Sequence, residues 1–231
     1  MTKRVLVAAI VAVPILIGVA HASPINLVTN GSFESGLSGW TVAGGGAFPV
    51  SAVQTNAACC FGEFVPNDTI LAGSPDAAGN HGVYFVDDFA HQTLSQTVAL
   101  TAGTYEVGFD AYSPFNGFNN SGDAAFHGTI AGVPLANYTV HGSTPGLWIH
   151  FSGLANVLAD GNYSVAFDFQ PAATGAAADV VIDRVYIVAS DANGGTPISN
   201  DQVPEPATLS LLALGSAGLA AVRRKRGSNK Q

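Results

Sequence analysis

Apolar and polar residues alternate with a period of two along several short stretches, and this pattern limits the fold most strongly. In 104–112, Tyr105, Val107, Phe109 and Ala111 alternate with polar residues and glycine, and 163–169 repeats the pattern. Such alternation is typical of a β-strand with one buried face. Between residues 23 and 202 no stretch shows the 3.6-residue period of an amphipathic helix. The central part of the chain is therefore predicted to be all-β.

About nine or ten strands are predicted, and glycine-rich turns separate them. They are placed near 41–42, 48–53, 83–86, 94–100, 104–112, 124–130, 134–140, 147–151, 163–169 and 180–188. Short strands joined by tight turns favour an antiparallel jelly-roll β-sandwich over a parallel sheet. The stretch 54–80 is long and weakly patterned, and a loop of that length is usually functional or mobile.

Both ends of the chain are apolar segments that lie outside this domain. At the N-terminus, Lys3 and Arg4 precede an apolar run at 5–20 and the small-x-small sequence Ala20-His21-Ala22, as in a cleaved secretory signal peptide. At the C-terminus, Val203, Pro204, Glu205 and Pro206 precede an apolar run at 207–222 and a basic cluster of Arg223, Arg224, Lys225 and Arg226. Sixteen helical residues span about 24 Å, which is short for a bilayer core of about 30 Å. The basic cluster would act as a membrane stop on the cytoplasmic side.

The tail resembles the PEP-CTERM sorting signal of Gram-negative bacteria that make extracellular polysaccharide. The matching parts are Pro204-Glu205-Pro206, the apolar run and the basic cluster 223–226. The resemblance implies recognition by an exosortase, a membrane-embedded protease, after a transient hold in the inner membrane. The alternative is an ordinary C-terminal membrane anchor. Either interpretation predicts export, followed under the first one by sorting to the cell surface or the extracellular space.

The predicted organisation is a signal peptide (1–22), a jelly-roll domain (23–189), a linker (190–202), the sorting signal (203–226) and a short tail (227–231). The charged residues follow the same division, because the bases lie mainly in the two ends and the acids in the central domain. Arg184 is the single basic residue between residues 23 and 202, against fifteen acids. Such a surface repels phosphate backbones, so no nucleic-acid partner is expected, and it favours divalent cations.

A second resemblance concerns the domain itself. Asn30-Gly31-Ser32-Phe33-Glu34, the stretch 94–113 and the closing 181–185 look like a galactose-binding-like jelly roll, the fold of many carbohydrate-binding modules. In related modules an acid of the opening motif and an acid of the closing motif lie together and hold a structural calcium. The resemblance implies that Glu34 and Asp183 are these ligands here, and that backbone carbonyls complete the coordination shell. The alternative is that both acids cap turns, or that Asp183 pairs with Arg184.

A sugar platform is the other candidate site. Tyr112, Phe115 and Phe118 lie in one loop with several asparagines, and carbohydrate-binding proteins stack aromatic rings on sugar faces. The alternative is that Phe115 and Phe118 fold back onto the sandwich. Trp40 and Trp148 are predicted to lie in the core.

Cys59 and Cys60 are adjacent, and an exported protein meets oxidising conditions. Neighbouring Cα atoms are about 3.8 Å apart, below the usual disulfide range. Three states remain open: a strained disulfide between them, bonds to another molecule, or two unpaired thiols.

No catalytic signature supports an enzyme, since the chain lacks G-x-S-x-G, H-E-x-x-H and a phosphate-binding glycine loop. The sequence favours an exported, non-enzymatic envelope or extracellular-matrix protein that is sorted by an exosortase and associated with exopolysaccharide. The alternative is a carbohydrate-binding protein that recognises a specific extracellular glycan.

Overall fold

The computed structural model describes residues 24–56, 58–59, 63–172 and 174–190, with side chains except at 58, 59 and 63. The predicted signal peptide, the linker after residue 190 and the sorting tail lie outside the described residues. Within the described ranges, no helix is both long and apolar enough to cross a membrane.

The described chain is built almost entirely of strands. They are β1 Thr41–Gly44, β2 Ser51–Gln54, β3 Ala58–Cys59, β4 Glu63–Phe64, β5 His81–Phe85, β6 Gln92–Leu100, β7 Gly103–Tyr112, β8 Ala124–Ile130, β9 Val133–Thr139, β10 Trp148–Val157, β11 Gly161–Pro171 and β12 Val180–Ala189. A single helical turn, α1, covers Phe115–Phe118, and a 3-10 turn covers Val140–Gly142.

Ten of these strands form two five-stranded antiparallel sheets. Sheet 1 has the order β1-β6-β11-β8-β9, and sheet 2 has the order β10-β7-β12-β5-β2. Strands β3 and β4 form a separate short hairpin. Neighbours within each sheet are mostly distant in sequence, as in a jelly roll, in which successive strands alternate between sheets. The predicted antiparallel jelly-roll sandwich is confirmed.

The main core lies between the two sheets and is rich in phenylalanine. The ring of Phe109 stacks on Phe151 at 5.1 Å and meets Phe167 edge-on at 4.9 Å. Phe126 and Phe169, from β8 and β11, are fully buried beside them. Each such ring contributes roughly 1.5–3 kcal/mol by leaving water, so this layer holds the sandwich together.

A second apolar cluster covers the outer face of sheet 2. Tyr84, Tyr112, Trp148 and Val181 lie side by side across its strands, and Val65 from the loop after β4 packs over them. The Nε1–H of Trp148 donates to the Pro66 carbonyl at 3.1 Å. Residues 65–76 of the predicted long loop thus form a packed cover on sheet 2, which we call the loop cover. Its apolar residues are too few and too scattered to show in the sequence.

Strand β12 contains a bulge between Asp183 and Tyr186, where Arg184 adopts a positive φ of 51°. Val185 consequently packs in the main core, whereas Arg184 and Tyr186 contact groups on the outer side of sheet 2. The bulge brings an acid and the adjacent arginine under the loop cover.

Candidate functional site

A cleft of about 240 Å³ opens at one end of the sandwich, which we call the loop-end cleft. It lies where β5 and β7 end and where β2 and β12 begin. Its aromatic and polar lining residues are Phe48, Asp88, Asn116, Asn120 and Asp179. Four separate segments therefore meet at the site.

Asp87 holds together the two segments that carry Phe48 and Asp88. Its buried carboxylate accepts hydrogen bonds from four backbone N–H groups, those of Gly46 (2.7 Å), Phe48 (3.3 Å), Phe89 (2.9 Å) and Ala90 (2.6 Å). Burial alone would raise the pKa of Asp87, but the four donors favour the charged form and the pKa is lowered. The charged carboxylate of Asp87 thus links the segment before β2 to the segment after β5.

Gln92, at the start of β6, makes a second link between the same segments. Its side chain is 0% exposed, and its Nε2 donates to the Phe48 carbonyl at 2.7 Å. Its Oε1 accepts from the N–H groups of Val86 (2.9 Å) and Asp87 (3.1 Å). With its backbone fixed from both sides, Phe48 keeps its ring at the cleft, where the residue is 42% exposed.

The opposite wall is held by side chains that bond to the segment before β12. The Ala177 N–H donates to Asp88 Oδ1 at 2.7 Å, and Asn120 Nδ2 donates to the Ala177 carbonyl at 2.6 Å. Helix α1 approaches closely, because a Cβ on Gly117 would lie 2.3 Å from Asp179 Oδ2. Only glycine fits at this position, and the hydrogen bonds that shape the cleft all lie within the protein.

This arrangement combines one apolar ring with amide and carboxylate groups in a small concave space. Such a set can stack on the apolar face of a ring-shaped polar molecule while hydrogen-bonding its hydroxyl groups. Among the described residues that line the cleft, none is Lys, Arg or His. The chemistry fits a hydroxyl-rich ligand without negative charge.

The predicted aromatic platform is only partly available. Tyr112 is 4% exposed and its ring packs 5.3 Å from Trp148, so it offers no face to a ligand. Phe115 is 60% exposed on α1, whereas Phe118 packs on the main core and on His141. The same loop supplies Asn116 and Asn120 to the cleft instead.

Phe48, Asp87 and Gln92 were missed by sequence reasoning. The only local signal is Asp87 two residues before Phe89, a spacing typical of an aspartate that accepts a nearby backbone N–H. Trp40 and Trp148 are both 9% exposed, which confirms their predicted place in the core.

The two predicted calcium ligands have other partners. Glu34 Oε1 accepts from the N–H groups of Asn80 (2.7 Å) and His81 (2.8 Å), and Asp183 Oδ1 accepts from the Arg184 N–H at 2.6 Å. Among the residues that the structure describes, no group of three or more His, Cys, Asp or Glu is arranged to hold a metal. Calcium at Glu34 and Asp183 stays a prediction, and equal melting temperatures with calcium and with chelator would count against it.

Asp183 belongs to an acid–arginine cluster under the loop cover of sheet 2. Arg184 donates to the backbone carbonyls of Ile70, Ser74 and Asp76, which anchors that loop. Its Nη1 lies 3.8 Å from Asp68 Oδ2 and 3.7 Å from Asp110 Oδ2. One cation therefore serves several buried carboxyls.

The surplus of acid in this cluster changes its protonation. Burial raises the pKa of Asp68 to about 7 and that of Asp183 to about 9. A hydrogen bond with the side chain of Asp110 also raises the pKa of Asp68, and the buried Oδ2 of Asp183 has no hydrogen-bond partner among the described residues. At neutral pH Asp183 therefore carries a proton, and the cluster is a structural element that responds to pH.

Several predicted residues lie beyond what the structure describes. Cys59 is described only as backbone in β3, and Cys60 lies outside the described residues. The sorting motif Val203–Pro206 and the cluster 223–226 are also outside them. The state of the cysteines stays a prediction.

Solved structures with similar folds include two carbohydrate-binding modules. One, in complex with β-1,4-galactotriose, has a TM-score of 0.48 and 24% identity over 72% of this chain and 99% of its own chain. A family 16 carbohydrate-binding module has a TM-score of 0.39 and 19% identity over 71% of this chain and 99% of its own. The enzymatically active domain of a bacteriophage tailspike protein has a TM-score of 0.41 and 19% identity, over 71% of this chain and 21% of its own.

No curated protein matches the chain. A family model described as the PEP-CTERM protein-sorting motif matches residues 202–225, which agrees with the segment predicted from the prolines, the apolar run and the basic cluster. The chain thus carries a PEP-CTERM sorting motif that follows the jelly-roll domain in the sequence.

Proposed function

We propose that this is an exported, non-enzymatic protein whose jelly-roll domain binds extracellular carbohydrate at the loop-end cleft. The observation that carries the proposal is the half-exposed ring of Phe48, set beside Asn116, Asn120 and Asp88 in one cleft. An aromatic ring next to amide and carboxylate groups matches a sugar, which has an apolar ring face and hydroxyls at its edge.

The rigidity of the cleft supports binding. Asp87, Gln92 and Asp88 fix the loops through backbone hydrogen bonds that need no ligand. A preformed site loses less conformational entropy on binding than a flexible one, so a small cleft can still bind usefully.

The partners of the two acids in the cleft support a binding role and not a hydrolytic one. Asp88 accepts from the Ala177 N–H, and Asp179 accepts from the Tyr84 hydroxyl at 2.8 Å. Both carboxyls therefore have structural partners, whereas a glycosidase needs one acid and one base directed at the substrate. Release of reducing ends from a bound polymer would contradict this part of the proposal.

The sorting motif supplies the route. An exosortase is the proposed partner of residues 202–225, after which the protein would reach the cell surface or the extracellular space and associate with exopolysaccharide there. Under this proposal the inner membrane is only a transient partner.

The test is retention of the full chain on immobilised neutral polysaccharides, with free oligosaccharide as competitor. We expect saturable binding that the competitor reverses. Asn116→Ala, in the cleft, should weaken retention, whereas Asn137→Ala, on the exposed edge strand β9, should not. Absence of saturable binding across the panel would leave a matrix protein without a sugar site, which is the second candidate function.

A further inference from the structure

We propose that the loop-end cleft rejects glycans that carry carboxylate, sulfate or phosphate groups and accepts glycans that lack such groups. The proposal rests on the proposed function, because it names the ligand class of the same cleft. The acidic side chain that sets the selectivity is Asp88.

The described lining of the cleft presents acidic groups and no cation. Asp88 and Asp179 are its ionisable side chains, and the rest of its lining is aromatic, aliphatic or amide. The Ala177 N–H donates to Asp88 Oδ1 at 2.7 Å, which holds the carboxyl at the cleft. An anionic sugar would therefore meet a fixed like charge.

Arg184 cannot compensate for this charge. It is the single basic residue between residues 23 and 202, and its side chain is 6% exposed. Its guanidinium donates to the carbonyls of Ile70, Ser74 and Asp76 under the loop cover of sheet 2. The strongest cation of the domain is thus held inside the protein.

The histidines of the described chain are not free cations either. Each has a carboxylate oxygen within 4 Å of a ring nitrogen; the pairs are His81–Glu34, His91–Asp168, His127–Asp168, His141–Asp123 and His150–Asp110. Each imidazole is therefore paired with a carboxylate of the protein itself.

The surrounding field acts in the same direction. Fifteen acids against one base between residues 23 and 202 make the domain strongly negative, and concave sites concentrate such a field. At physiological salt the field reaches about 8 Å from the surface, which covers the cleft. In water, one unit charge about 5 Å from a charged group of the ligand changes the affinity about fourfold, and the free energies of several such charges add.

The test compares neutral polymers with anionic polymers. Dextran and carboxymethyl-dextran share one backbone, and galactan and polygalacturonate form a second pair that differs in linkage as well as in charge. Each polymer is titrated against the full chain. We expect at least one neutral polymer to bind and its anionic counterpart to bind at least about fourfold more weakly at low salt. The gap should narrow as salt rises to about 0.5 M, because screening weakens charge repulsion but leaves a steric clash unchanged.

A matched pair of variants assigns the effect to the cleft. Asp88→Asn keeps an acceptor for the Ala177 N–H and should raise the ratio of anionic to neutral affinity about fourfold. Asp160→Asn removes the same charge at the far end of the sandwich, where it accepts from the Ala102 N–H, and should leave the ratio unchanged. Equal changes in both variants would overturn Asp88 as the selective residue.

The outcomes separate the two proposals. Anionic polymers that bind as well as the neutral ones, or a gap that salt does not change, would overturn the charge selection and leave carbohydrate binding intact. Failure of every polymer to bind would instead overturn the proposed function, and the charge selection with it.

Discussion

Replacing Asp183 by asparagine should make the protein more stable at neutral and alkaline pH while changing little at pH 4. Asp183 is 1% exposed, and burial raises its pKa to about 9 although the Arg184 N–H donates to its Oδ1. In the unfolded chain the same carboxyl returns to its ordinary value of 3.8. The unfolded state then releases a proton that the folded state keeps, so the free energy of unfolding falls as the pH rises from about 4 to about 9.

The size of the effect follows from the two pKa values. Each pH unit in that window lowers the free energy of unfolding by about 1.4 kcal/mol, which gives about 4 kcal/mol at pH 7 relative to pH 4. Asp68, whose pKa burial raises to about 7, adds a loss of the same sign between pH 4 and pH 7. Asparagine does not titrate, has nearly the shape of a protonated carboxyl and keeps an acceptor for the Arg184 N–H. Only the contribution of Asp183 is removed.

Urea unfolding followed by tryptophan fluorescence at several pH values between 4 and 8 measures this difference. We expect Asp183→Asn to have a shallower pH dependence than the wild type, and Asp160→Asn, at an exposed turn, reports the effect of net charge alone. Parallel curves for wild type and Asp183→Asn would refute the reasoning. A loss of stability in Asp183→Asn that appears only when calcium is present would instead support calcium binding at Glu34 and Asp183.

Three further substitutions test the contacts described above. Arg184→Met removes the donor to three loop carbonyls and leaves buried acids without a cation. It should therefore lower the free energy of unfolding by about 3–5 kcal/mol, and a variant as stable as the wild type would contradict this. Asp87→Ala leaves four backbone N–H groups without their acceptor and should lower stability by about 2–3 kcal/mol at pH 7. Because the pKa of Asp87 is lowered, its ionic stabilisation is present above the unfolded pKa and is lost as the pH falls through the lower folded pKa. The difference in stability between the two proteins should therefore shrink below about pH 4, and a difference independent of pH would refute the ionic role. Gly117→Ala should displace α1 from Asp179, weaken carbohydrate retention and lower the free energy of unfolding by about 1–3 kcal/mol. Gly161→Ala, whose added Cβ makes an ordinary contact, should leave both retention and stability unchanged. Equal behaviour of the two variants would count against the close approach of α1 and Asp179.

The strands were predictable because alternation and turn chemistry are local signals. Strand β8 was predicted at 124–130 and is found at Ala124–Ile130, and β7 was predicted at 104–112 and is found at Gly103–Tyr112. Strand β10 was predicted to end at 151 but extends to Val157, because β7 pairs with it along its whole length. Small residues such as Gly153 and Ala155 hide this pairing in the sequence.

The bulge at Arg184 and the loop-end cleft were not predictable, for a physical reason. A simple period of two places Asp183 and Val185 on one face, and only the positive φ of Arg184 separates them. The cleft depends on hydrogen bonds between distant segments, such as Gln92 to Phe48 and Asp88 to Ala177. Pairings of this kind arise from the tertiary fold and leave no periodic trace.

The most direct test of carbohydrate binding at the loop-end cleft is the dissociation constant of a neutral oligosaccharide for two variants. Phe48→Ala removes the half-exposed ring of the cleft, and Leu158→Ala removes an exposed apolar side chain after β10, at the far end of the sandwich, as a control. Calorimetric titration should show Phe48→Ala binding at least about tenfold more weakly than the wild type, and Leu158→Ala binding like the wild type. Equal affinities for all three proteins would show that any sugar binds elsewhere, and the account of the cleft would be wrong.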